Sequence, residues 1–199
     1  MLFSSISFLY YFLPIVIILY FMVPFKFKNF ILLLTSLFFY AWGEPVYVIA
    51  MLLVSLIGWA SGLLVEKFRG KKLSKFFMIF AVTISLGALG IFKYADFAIE
   101  NINAIFKTDI ALLKIGLPIG ISFYTFQTLS YVIDLYRGNT KVQKSPINFM
   151  AYVSMFPQLI AGPIVRYSDV AEELDERTIT VEKIAYGINR FLIGLGKKV

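Results

Sequence analysis

Phe156-Pro157-Gln158-Leu159-Ile160-Ala161-Gly162-Pro163-Ile164-Val165-Arg166-Tyr167 places two prolines six residues apart within an otherwise hydrophobic run. Each proline lacks an N–H and clashes with the preceding turn, so a regular helix does not run through both. In hydrocarbon the freed backbone groups must find partners, which confines broken helices to places buried in protein or lining a wet cavity. Upstream, Gln127, Ser130, Tyr131 and Asp134 fall at i, i+3, i+4 and i+7, one face of a helix. The region from Leu117 to Tyr167 is therefore expected to wall a cavity or tunnel. Its candidate lining residues are Gln127, Ser130, Tyr131, Asp134, Pro157, Gln158, Gly162, Pro163 and Arg166. A plainer reading stands beside this one: Asp134 snorkels at the interface, and Gln127 and Ser130 bond to neighbouring helices at about 0.6 to 2 kcal/mol each.

Composition makes this an integral membrane protein. The 199 residues are 59% hydrophobic and only 16% charged, with a mean hydropathy of +0.80, too apolar to cover a soluble domain. The net charge of +7 sits in short basic clusters between apolar runs. That is the positive-inside pattern of cytoplasmic loops and argues against a nucleic-acid surface. The sequence has no cysteine and no histidine, which excludes disulfides, thiolate chemistry and an imidazole base. No metal-ligand cluster is visible either.

Along the chain, apolar runs predict membrane segments at 8–23, 30–42, 46–65, 76–92, 115–136, 147–165 and 184–199. The first lacks the basic start and small-residue cleavage site of a signal peptide, so it reads as a retained helix. Lys26 and Lys28 then place the N-terminus outside. The run Phe30 to Trp42 reaches only ~20 Å against a hydrocarbon core of ~30 Å. Gly43-Glu44-Pro45 reads as a tight turn, with Tyr40, Trp42 and Tyr47 as an interfacial aromatic belt. Gly87 and Gly90 are expected to permit close helix packing. From Tyr94 to Lys107, apolar and polar residues separate onto two sides, the signature of a separate amphipathic helix lying in the interface, beside the plainer and favoured reading of an ordinary amphipathic connector. Asp134 is expected to pair with Arg137. The segment 147–165 either spans or re-enters; its prolines favour re-entry and leave the side of the acidic loop 168–183 open. The last segment is an apolar helix without a tail, so the chain reads as one membrane domain cut short.

Trp42-Gly43-Glu44-Pro45, Leu117-Pro118-Ile119-Gly120-Ile121-Ser122-Phe123-Tyr124-Thr125-Phe126-Gln127, Tyr131-Val132-Ile133-Asp134, Tyr136-Arg137 and the double-proline motif resemble the membrane-bound O-acyltransferase family, in its alginate O-acetylase-like branch. The resemblance implies an all-α polytopic bundle around a thin centre. It also implies a cytoplasmic acyl donor, such as acetyl-coenzyme A or an acyl carrier, with no bound cofactor. The acceptor would be a polysaccharide on the far side of a bacterial inner membrane, with an extracytoplasmic acetyltransferase as a possible partner. The family's catalytic intramembrane histidine has no counterpart in this sequence, so no catalytic residue is assigned, and the resemblance places that histidine beyond Val199. Gln127 and Gln158 are left as amide donors and Arg166 as an anion clamp. Two other classes fit broken membrane helices: a transporter or flippase, and a non-catalytic scaffold for a partner acetyltransferase.

Overall fold

The computed structural model of the protein describes residues 3–159 and 164–198. Gly162 and Pro163 therefore lie outside the described residues. The elements are helical throughout: α1 (Ser7–Met22), α2 (Lys28–Ala41), α3 (Val48–Lys67), α4 (Lys72–Phe106), α5 (Ile121–Arg137), α6 (Pro146–Ser154), α7 (Phe156–Leu159), α8 (Tyr167–Asp175) and α9 (Val181–Lys198). Helices α3 and α4 are long and apolar enough to cross a membrane, and α1 is a shorter apolar helix. At ~1.5 Å per residue the 20 residues of α3 match a hydrocarbon core of ~30 Å.

Local chemistry explains the boundaries. The first part of α1, Ser7–Phe12, is π-helical; Pro14 one turn on has no N–H to give, and the wider turn accommodates it. Ser145 caps α6, accepting from the Asn148 N–H at 3.3 Å, and Pro146 occupies the first helical position. Helix α5 ends at Gly138 (φ +82°) in a Schellman turn, with the Asn139 N–H on the Asp134 carbonyl and the Gly138 N–H on the Leu135 carbonyl. At its start Gly120 (φ +77°) has no room for a side chain, since a Cβ would stand 2.7 Å from the Leu159 carbonyl oxygen.

Helix α5 sits among α3, α4 and α6, and α6 in turn rests on α2 and α3. The α3–α5 seam is built from small residues: Ser55, Gly58, Ser61 and Gly62 are all buried. A Cβ on Gly58 would collide with Thr128, and one on Gly62 would lie 2.7 Å from the Tyr131 ring. This is the close backbone approach that membrane helices use in place of a hydrophobic driving force. The expectation for Gly87 and Gly90 fails, because a Cβ at either would meet nothing within 4 Å. Those glycines face outward on α4. A second cluster, Phe8, Phe12, Val16, Phe39 and Phe156, joins α1 to α2 and to the short α7.

Three other expectations are corrected. The segment from Tyr94 to Phe106 is no separate helix, since it continues α4 without a break. Its polar side is occupied by the following loop: the Asp96 carboxylate accepts the Leu113 and Lys114 N–H groups at 2.8 and 3.0 Å. The Asn103 amide likewise exchanges hydrogen bonds with Ile110. Tyr40 is buried and donates its hydroxyl to the Ile119 carbonyl at 2.9 Å, so it pins the start of α5 and takes no part in an aromatic belt. Asp134 and Arg137 form no ion pair; among the described residues only Arg69 and Glu66 do so. With α5 ending in a tight glycine turn, Arg137 is left exposed. The Gly43-Glu44-Pro45 turn is present as read.

Candidate functional site

The break between α6 and α7 brings together three of the candidate residues, Ser130, Asp134 and Gln158, around Tyr152. This side chain is fully buried, and its hydroxyl donates to the Val165 carbonyl at 2.7 Å. The Ser130 hydroxyl lies next to it, and the carboxylates of Asp134 and Asp169 are close enough to act on it electrostatically. The Tyr152 carbonyl accepts from the Gln158 amide at 2.6 Å, which holds the chain past Met155, where α6 stops. The broken backbone thus finds its partners inside the protein, as hydrocarbon demands.

Gln127 is buried one turn before Ser130, which donates to the Gln127 carbonyl at 2.9 Å. Among the described residues the Gln127 side-chain oxygen has no partner, and the same holds for the buried hydroxyls of Thr125 and Ser154, whereas the Tyr124 hydroxyl lies beside that of Tyr40. A buried polar atom without a partner costs about 1 to 3 kcal/mol, so these three on α5 and α6 leave hydrogen-bonding capacity unfilled inside the bundle. Gln158 offers less than the sequence suggests, because its amide is spent on the Tyr152 carbonyl. Arg166 is exposed just before α8, and Pro157 is exposed on the outer side of α7. There Pro157 lines an apolar groove of about 350 Å³ with Phe8, Phe156 and Phe191. The Tyr131 ring packs tilted against Phe149 and edge-on against Tyr167, and its hydroxyl accepts the Gln143 N–H at 3.0 Å.

Gln143, in the loop after α5, is the second hub. Its amide donates to the Tyr167 hydroxyl at 2.9 Å and to Asp175 at 3.3 Å, its side-chain oxygen accepts the Ser145 N–H at 2.9 Å, and its carbonyl accepts the Trp59 indole N–H at 3.0 Å. Burial, opposed by the Gln143 hydrogen bond, pushes the Tyr167 hydroxyl up to about 12. Beside it, Asn29 donates to Asn148 and to the Leu174 carbonyl at 2.9 and 2.8 Å, Asn148 donates to Asp175 at 3.1 Å, and Arg177 donates to Asn29 and Tyr20. The beginning of α6 and the end of α8 are therefore tied to the same end of α2.

Sequence reading missed Tyr152 and Gln143. A tyrosine in an apolar run beside a proline break is a usable signal, since a buried hydroxyl takes a partner. Gln143 stands among lysines in a loop and carries no such mark. Among the described residues no three His, Cys, Asp or Glu side chains gather to hold a metal ion.

Fold and site together describe a membrane protein of the helical-bundle class, with a buried polar cluster at a helix break. Comparison with known proteins narrows this. The chain is 39% identical over its whole length to a protein of Pseudomonas aeruginosa named "Probable alginate O-acetylase AlgI", and 38% identical to one of the same name from Azotobacter vinelandii. It is 30% identical to the "Peptidoglycan O-acetyltransferase" of Helicobacter pylori. Over its whole length the chain resembles the alginate O-acetylase-like branch of the membrane-bound O-acyltransferases. It spans 39%, 41% and 44% of the lengths of those three relatives. No family model matches the chain, and no solved structure does.

Proposed function

We propose that this chain forms part of a membrane O-acyltransferase that places acetyl groups on hydroxyls of an exported polysaccharide, an alginate-like or peptidoglycan-like acceptor. The observation that carries the reading is the identity to proteins named for polysaccharide O-acetylation over the whole chain. The buried polar cluster around Tyr152 supports it, because acyl transfer needs groups that orient a hydroxyl and donate to a developing oxyanion. The Gln127 side-chain oxygen is left free to accept from the hydroxyl that is to be acylated, Ser130, Asp134 and Tyr152 orient, and Arg166 holds the anionic part of the acyl donor. The sequence has no histidine, so these residues supply the wall of the reaction chamber and no imidazole base.

In this reading the protein is a multi-pass component of a bacterial inner membrane with its N-terminus outside. The acyl donor, acetyl-coenzyme A or an acyl carrier, arrives on the side of the basic loops, and an extracytoplasmic acetyltransferase is a candidate partner. The segment from α6 to α8 re-enters; the shared anchoring of Asn148 and Leu174 on Asn29 supports this, and it puts the acidic residues of α8 on the basic-loop side. The test is disruption of the gene within the codons for 117–167, with base-labile acetate on the exported polysaccharide as the readout. Loss of acetate with normal polymer yield supports acyl transfer. Loss of polymer with unchanged acetate per sugar would instead support the transporter reading.

A further inference from the structure

Where α3 and α5 end, a cavity of about 540 Å³ is lined by Glu66, Arg69, Gly138, Thr140, Lys141, Val142 and Lys144. We propose that it is a binding site for a phosphate group, and specifically for the headgroup of an anionic phospholipid. The site is built before any ligand arrives. Arg69 donates to Glu66 and to the Leu135 carbonyl, the latter at 3.1 Å, so its guanidinium is held at the end of α5. Gly138 in its left-handed conformation leaves room for that guanidinium, since a Cβ would stand 3.2 Å from Nη1. The loop that presents Lys141 and Lys144 is fixed from beneath by Gln143. Both lysines are exposed, and neither has an ion-pair partner among the described residues.

Three cations and the Thr140 hydroxyl thus face one cavity with a single carboxylate, Glu66, and that carboxylate is engaged by Arg69. The excess positive charge and hydroxyl suit a tetrahedral oxyanion. Depth selects a lipid as the source. Helix α3 matches the hydrocarbon thickness, and the cavity sits at its last turn, the level of the headgroup phosphates on the side where basic loops collect. This reading is independent of the acyl transfer proposed above, and its test measures binding alone.

The full chain in detergent is titrated with phosphatidylglycerol, phosphatidylcholine and inorganic phosphate and followed by native mass spectrometry. Phosphatidylglycerol adducts should form in preference to phosphatidylcholine. At roughly a fivefold contribution per basic residue near a lipid surface, Lys141→Gln with Lys144→Gln should weaken them about 30-fold. The pair Lys72→Gln and Lys75→Gln removes the same charge from neighbouring α4 and should leave them unchanged. Lys141→Gln alone, expected to weaken binding about fivefold, serves if the double variant does not purify. Equal losses in the two double variants, or no loss in either, would overturn the site. Displacement of phosphatidylglycerol by inorganic phosphate at similar concentration would overturn the lipid as its occupant.

Discussion

Gly62 on α3 lies against the ring of Tyr131 on α5, so closely that a methyl group there would come 2.7 Å from Cε1 and 3.0 Å from the hydroxyl oxygen. The contact locks the helix that carries the candidate site to a helix of membrane-spanning length. Gly62→Ala should therefore destabilise the protein by about 1 to 3 kcal/mol through overpacking. Gly87→Ala, in open space on α4, should be neutral or stabilising by up to ~1 kcal/mol. Thermal unfolding of both variants in one detergent checks this, and the opposite order would reject the seam.

Gln143→Ala removes three side-chain hydrogen bonds and strands one buried partner, Tyr167. A loss of about 2 to 3 kcal/mol is expected. With Trp42 replaced by Phe, the remaining indole is Trp59, whose N–H sits on the Gln143 carbonyl. Its emission should shift to the red as the loop loosens, and an unmoved spectrum would mean that the loop is held by other contacts.

Tyr167 gives a pH dependence with a definite sign. Its folded value, about 12, lies above the ordinary 10.0, so the folded state holds the proton more tightly. The contribution is fully present below pH 10 and is lost as pH rises towards 12. Tyr167→Phe should flatten that part of the decline in an alkaline unfolding series. If the variant declines as steeply as the parent between those values, Tyr167 does not supply it.

Asp96 holds the loop after α4 through two backbone N–H groups, and Lys107 and Lys114 flank that loop. In Asp96→Ala, tryptic cleavage at these lysines should quicken about fivefold, the equivalent of losing ~1 kcal/mol of local ordering. Unchanged cleavage would show the loop to be held by Asn103 alone.

For the proposed chemistry, Tyr152→Phe frees the Val165 carbonyl and removes the hydroxyl beside Ser130, while the Gln158 bond to the Tyr152 backbone carbonyl stays. Acetate on the polysaccharide should fall roughly tenfold with unchanged membrane insertion, as expected when a positioning group is lost. Arg166→Ala should likewise lower it. Normal acetylation in both variants would remove this cluster from the reaction.

Several features were legible in the sequence for identifiable reasons. Long charge-free runs can be satisfied only as membrane helices, and α3 appears where Val46 to Val65 predicted it, shifted by two residues. Pro157 reported the break after α6, because past the first turn of a helix its ring and missing N–H cannot be accommodated. The shared face of Gln127, Ser130 and Asp134 followed from periodicity alone. Other features depend on what lies across a contact. Glycine at 62 and glycine at 87 look alike in a sequence, and only the Tyr131 ring makes one of them a packing residue. The polar side of α4 after Lys93 has the pattern of an interfacial helix, yet it is taken up by its own following loop.

The sequence by itself determined that this is a helical membrane chain, where its helix is broken, which polar residues share a face on α5, and which family it resembles. All of these follow from composition, from proline chemistry, or from spacing along a helix. Only the tertiary structure decided that Tyr152 and Gln143 are the hubs, that the Gln158 amide is already engaged, and that Arg69, Lys141 and Lys144 meet over one cavity. Those facts depend on distances between segments far apart in the chain, and no local pattern encodes which side chain stands opposite another.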